Sequence, residues 1–163
     1  MFILERLEEL RATNPALQLF ALIDGAQFEI QRNSRIDRQA GFSPLFAGTQ
    51  DASLAAAGPW LVDIEQVSNE VLVDIDALEH SAPAVIWLIT VQDLTGLSQL
   101  LQLHLDAELP DGRKALLRFW DPRVLFHLAE LLDGEQRVSF FGHINEWHFL
   151  HNKQRLWVGR QHA

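Results

Sequence analysis

The run Ala84-Val85-Ile86-Trp87-Leu88-Ile89 contains no polar side chain, and Pro83 stands at its entrance. A short apolar run of branched and aromatic residues predicts a strand, with the proline confined to its start. Strand side chains alternate between two faces, so a strand apolar on both has to be covered on both. The chain must therefore supply two cover layers. Leu17-Gln18-Leu19-Phe20-Ala21-Leu22-Ile23 is a second run of this kind, closed by the turn pair Asp24-Gly25. Trp60–Ile64 and Lys114–Trp120 are expected as further strands.

The cover is read from helical spacing. Phe2, Ile3, Leu7 and Leu10 recur on one face, and Asn14-Pro15 ends that pattern. Residues 26–39 are read as a helix, and residues 41–59 as loop, with a helical turn or two over Asp51–Ala57. Val71, Leu72, Ile75 and Leu78 predict a helix over 69–79. Asp93 caps a helix expected to reach Ala107, with Leu94, Leu97, Leu100, Leu101, His104 and Leu105 as its stripe. Asp121-Pro122 joins an N-cap acceptor to a proline at the first helical position. The helix it starts carries Val124, Leu125, Leu128, Leu131 and Leu132 inward and ends at Gly134. Val138–Phe141 and Trp147–Leu150 are expected to be extended. The polar stretch His151–Arg155 before Leu156-Trp157-Val158 predicts a C-terminal hairpin. These readings give an α/β or α+β fold: one domain over residues 1–163, with a central mixed β-sheet flanked by helices.

Composition excludes several functions. The formal net charge is −9 and only two lysines occur, Lys114 and Lys153. Nucleic-acid binding, which needs clustered cations, is not expected. There is no cysteine, which removes disulfides, thiolate metal sites and a thiol nucleophile. No apolar run is long enough to span a membrane, and Met1–Arg6 does not read as a secretory signal. A cytoplasmic location is expected.

Candidate chemistry is sparse. His143, His148 and His151 lie near Glu146, but neither strand nor helix geometry joins all three histidines. No metal site or cofactor is expected. His104 is read as a satisfied core histidine. Asp63, Asp74, Asp76 and Glu79 form an acidic cluster, read mainly as a solvated face and alternatively as acid–base carboxylates. No Gly-x-Ser-x-Gly elbow and no glycine-rich phosphate loop occurs. The unusual segment is Arg118-Phe119-Trp120-Asp121-Pro122-Arg123. It places a guanidinium in an apolar strand, which is tolerated only with a partner; Asp121, Asp24 and Asp63 are the candidates. Two readings follow: an internal Arg–Asp clamp, or a recognition site formed by Arg118, Trp120, Asp121 and Arg123. Ten Phe and five Trp, several crowded into the C-terminal third, add the alternative of an exposed aromatic anchor surface.

Several motifs now stand in order: Ala21-Leu22-Ile23-Asp24-Gly25-Ala26, Ser43-Pro44-Leu45-Phe46, Ala57-Gly58-Pro59-Trp60-Leu61-Val62, and Pro83-Ala84-Val85-Ile86-Trp87-Leu88. His104-Leu105, Pro110-Asp111-Gly112, Leu117–Leu125 and Phe141-Gly142-His143-Ile144 with Trp147 follow. The set resembles the domain-of-unknown-function 4123 family over about residues 17–148, with an N-terminal helix (1–13) before it and a short extension (149–163) after it. The resemblance implies a non-enzymatic adaptor chaperone of the bacterial type VI secretion system. Such a protein binds a toxic effector and helps load it onto the valine-glycine-repeat (VgrG) spike protein. Many relatives carry Tyr at the position of Trp120 and continue into a variable C-terminal lobe. Cargo choice here would then use the core domain, or the chain is a shortened member. The family supplies no catalytic residue. An immunity-like effector-binding protein and a small hydrolase are the rival readings. On the adaptor reading, Ala at Trp120 or Arg123 is expected to weaken cargo capture with little change in melting temperature.

Overall fold

A computed structural model describes residues 1–160. Its centre is a six-stranded sheet. In chain order its strands are β1 (Gln18–Asp24), β2 (Phe42–Pro44), β3 (Pro59–Asp63) and β4 (Val85–Thr90), followed by two later strands, β7 (Glu146–His151) and β8 (Gln154–Gly159). Their spatial order is β2-β3-β1-β4-β7-β8, which puts the two apolar runs side by side in the middle. Every pairing is antiparallel. The fold is thus α+β with an antiparallel sheet where a mixed one was expected, because hydrophobic alternation carries no information on strand direction. A separate two-stranded ribbon joins β5 (Asp106–Glu108) to β6 (Lys114–Leu116).

Period-two alternation divides the core in two. Phe20, Leu22, Leu61, Ile86, Leu88, Trp147 and Phe149 face one side. There α4 (Leu94–Gln102), α5 (Pro122–Leu131) and α6 (Gly134–Phe141) cover them with Leu97, Leu101, Leu125 and Phe141. Leu19, Ala21, Ile23, Val62, Val85, Trp87 and Ile89 face the other side. They meet Ile3 and Leu7 of α1 (Phe2–Arg11), Ile75 and Leu78 of α3 (Asn69–Ser81), and Phe28 of α2 (Gly25–Arg32). Both covers that Ala84–Ile89 demanded are present.

The helix starts follow their capping chemistry. The carboxylates of Asp24, Asp93 and Asp121 accept from the backbone N–H groups of Gln27, Gly96 and Arg123 at 3.0, 2.7 and 2.9 Å. The C-terminal hairpin forms as expected. Its loop residues Asn152 and Lys153 have φ of 50° and 62°, the left-handed pair of a two-residue turn that matches strand twist. Gly25 is required for space: a Cβ there would lie 2.3 Å from the carbonyl oxygen of Ala56.

Five expectations are corrected. The helix expected over 26–39 ends at Arg32, where Asn33 turns left-handed with φ of 51°. The helix after Asp93 ends at Gln102, because Asp106–Glu108 pairs with β6. The strand expected over Lys114–Trp120 stops at Leu116. Phe119 and Trp120 leave the ribbon through a tight turn, Phe119 N–H to Leu117 O at 2.9 Å, and enter the core. Gly134 opens α6 rather than closing α5. Val138–Phe141, strand-like by propensity, is helical: packing of Phe140 and Phe141 against Trp147 outweighs intrinsic preference.

Candidate functional site

The turn from β6 into α5 lies against the C-terminal end of β1. Asp24 ends that strand and caps α2, and its second oxygen accepts from Arg118 Nη2 at 3.3 Å. Asp121 caps α5 and also holds Arg123 with both oxygens, at 3.0 Å from Nε and 2.7 Å from Nη2. Each carboxylate is buried; each guanidinium is not. Arg118 exposes 55% of its side chain and Arg123 60%. The arrangement inverts the sequence expectation of a buried arginine that needs a partner. The acids lie inside, where helix N-termini favour them, and the bases lie outside.

The four charges act on one another. Burial alone would raise the pKa of Asp121. Hydrogen bonds from the side chain and backbone of Arg123, with the charges of Arg123 and Arg118, outweigh it and hold the acid below its ordinary value. Arg123 is raised in turn by its hydrogen bonds to Asp121, with a smaller contribution from Asp24. Asp63, the third candidate partner, is elsewhere. It caps the short 3₁₀ turn Ile64–Gln66 and accepts from Gln66 Nε2 at 2.5 Å.

Trp120 supports this cluster from beneath. Its residue is 3% exposed, and its ring meets Phe46 and Phe119 edge-to-face at 5.5 and 5.9 Å. The Arg118 guanidinium carbon stands 5.7 Å above the same ring. Truncating such a core aromatic costs about 3–5 kcal/mol. The expectation that Ala at Trp120 leaves the melting temperature unchanged does not survive this burial. The accessible members of the predicted set are Arg118 and Arg123.

The histidines do not converge. His148 is buried on the α1 side of the sheet, its Nε2 2.7 Å from Glu146 Oε2, while its Nδ1 has no partner among the described residues. His151 stacks on Phe126 at 4.0 Å, and His143 is exposed. His104 lies just past α4, stacked on Phe140 at 4.5 Å with Nε2 3.0 Å from the Phe140 carbonyl. Burial pushes its pKa down. The acidic cluster also disperses. Asp74 pairs with Arg32 at 2.7 Å, and Glu79 accepts from Trp87 Nε1 at 2.9 Å and from both terminal nitrogens of Arg155. Asp76, Glu79 and His80 bring ligand atoms within 4.8 Å of one another. Both oxygens of Glu79 are already engaged by Arg155, whose charge opposes a cation there.

Sequence reasoning missed one network. Arg6 of α1 donates from Nε and Nη2 to the two oxygens of Glu146, at 3.0 and 2.5 Å, and His148 joins from the same strand. Burial would raise Glu146, but hydrogen bonds from His148 and Arg6 prevail and hold its pKa down to about 2. The spacing Glu146-x-His148 puts both on one strand face, a signal that was readable once the strand was known.

The chain is a single-domain α+β protein whose distinctive feature is an outward-facing guanidinium pair seated on buried capping acids. The sequence model of the family described as Domain of unknown function (DUF4123) matches residues 19–139, and the chain belongs to that family. A search of the curated proteins and of the solved structures found no match. No described helix is long and apolar enough to cross a membrane.

Proposed function

We propose that this protein is a non-enzymatic cytoplasmic adaptor that binds a type VI secretion effector and helps load it onto the VgrG spike. The reading rests on membership of the DUF4123 family, whose members it resembles through the ordered motifs from Ala21 to Trp147. The observation that supports a binding role is the charge cluster at the β6–α5 turn. Two guanidiniums are exposed and positioned from below by buried Asp24 and Asp121, a surface suited to recognition. Asp63, Asp74, Glu79, His104, Glu146 and His148, also singled out from the sequence, are each engaged in a structural contact.

The test is affinity capture of the tagged protein from its native host, with mass spectrometry of what co-purifies. Recovery of one large effector, with or without the spike protein, is the expected result, and it should fall when Arg118 and Arg123 are both changed to Gln. Rescue of cells that express the effector toxin alone would replace the adaptor reading with an immunity role.

A further inference from the structure

We propose that Arg118 and Arg123 together form a receptor for side-chain carboxylates, so that the cargo presents an Asp- or Glu-bearing segment to this turn. The inference takes the partner's identity from the adaptor reading and its chemistry from the geometry.

Arg118 spends one nitrogen on Asp24, at 3.3 Å, and carries four other N–H bonds on a half-exposed fork. Arg123 gives Nε and one terminal nitrogen to Asp121, which fixes its plane and leaves Nη1 unengaged among the described residues on a side chain 60% exposed. Neither guanidinium needs to leave its buried acid to take a further acceptor. That matters because Asp24, nearly fully buried, would otherwise keep only the Gln27 backbone N–H among the described residues. The outcome is a chain of charges in which a buried carboxylate holds a guanidinium and the guanidinium holds an outer carboxylate. A planar fork matches a carboxylate by two parallel hydrogen bonds, and Trp120 beneath Arg118 restricts the plane in which that fork lies.

The rest of the surface sharpens the chemistry. The chain carries a net charge of −9, so a uniformly acidic segment is repelled at long range. The segment that fits is one in which carboxylates stand among basic or neutral neighbours.

The experiment follows the Arg118 and Arg123 Nε–Hε signals by NMR during titration with two capped peptides, Lys-Glu-Glu-Lys and Lys-Gln-Gln-Lys. Overall charge favours the second peptide, and the proposed receptor favours the first, so the two effects have opposite signs. The expected result is a saturable shift at both arginines that is about tenfold tighter for the Glu peptide, the size of one charge-assisted hydrogen bond. The preference for the Glu peptide, read from the backbone amide shifts of the turn, should be lost in Arg118→Lys with Arg123→Lys, which keeps the charge and removes the fork. Equal or tighter binding of the Gln peptide overturns the proposal, as does an absence of shift at these signals. Inorganic phosphate matching the Glu peptide also overturns it, since the turn is then a general anion spot. Peptide failure with successful effector capture relocates the contact and leaves the adaptor reading standing. Peptide binding without effector capture does the reverse.

Discussion

Two sets of arginine–carboxylate pairs occupy different parts of the molecule, and they differ in what remains outside. On the α1 side, Arg6 binds Glu146 and Arg155 binds Glu79, with 30% and 22% of the arginine side chains exposed. These pairs tie α1 and α3 to the last hairpin. Trp87 and His148, which are register partners, each add a hydrogen bond to one of the two acids. At the β6–α5 turn the same residue types leave more than half of each arginine in water. Closed pairs mutually satisfy their donors and acceptors and serve the fold. Open pairs keep donors available, which is the physical requirement for binding something else.

The largest expected break in this comparison is Arg155→Ala. Among the described residues it leaves buried Glu79 with only the Trp87 indole as partner, a loss of about 3–5 kcal/mol. At roughly 2–4 °C per kcal/mol for a domain of this size, calorimetry should show the melting temperature falling by about 10 °C. Combining Arg155→Met with Glu79→Gln should recover much of that, because no bare charge remains. A single variant as stable as the parent would show that the pair is not closed.

Next comes acid. Glu146 has an ordinary pKa of 4.5 and is held at about 2 in the fold. A depressed acid contributes stability that is complete above its unfolded pKa and disappears as pH falls through the folded one. The stability difference between the parent and Glu146→Gln, measured by denaturant titration, should therefore shrink steadily from about pH 4.5 towards pH 2. A constant difference over that range would detach Glu146 from the Arg6 and His148 pairing.

Much of this organisation was legible in the sequence, and the exceptions have a common cause. The two central strands, α1, α3, the helix starts at Asp93 and Asp121 and the terminal hairpin all follow from local patterns of spacing and turn chemistry, whereas Asp24 reads as a turn and caps α2. The ends of α4 and β6 did not, because they are fixed by mutual pairing of segments whose own residues do not specify it. Asp24, ninety-four positions from Arg118, is one of the three candidate partners that the sequence offers for it. Which of the two was buried was inverted, since that depended on Phe119 and Trp120 turning into the core. The Arg6–Glu146 pair spans 140 positions with no local signature at either end.

The smallest effect on stability is expected where the functional effect is largest. Arg118→Gln and Arg123→Gln each remove a mostly exposed cation from a buried acid that a helix N-terminus and a backbone N–H also hold, so water screens much of the pairing and the loss is about 1 kcal/mol. Asp24 and Asp121 keep their backbone donors from Gln27 and Arg123, so neither acid is left without a hydrogen bond. The melting temperature of either variant should stay within about 3 °C of the parent. Arg118 has the more distant contact with its acid and should cost less than Arg123, which makes two side-chain bonds. A fall as large as that of Arg155→Ala at either position would place that pair among the closed ones. The distinction between the two regions would then rest on geometry alone, without a difference in role.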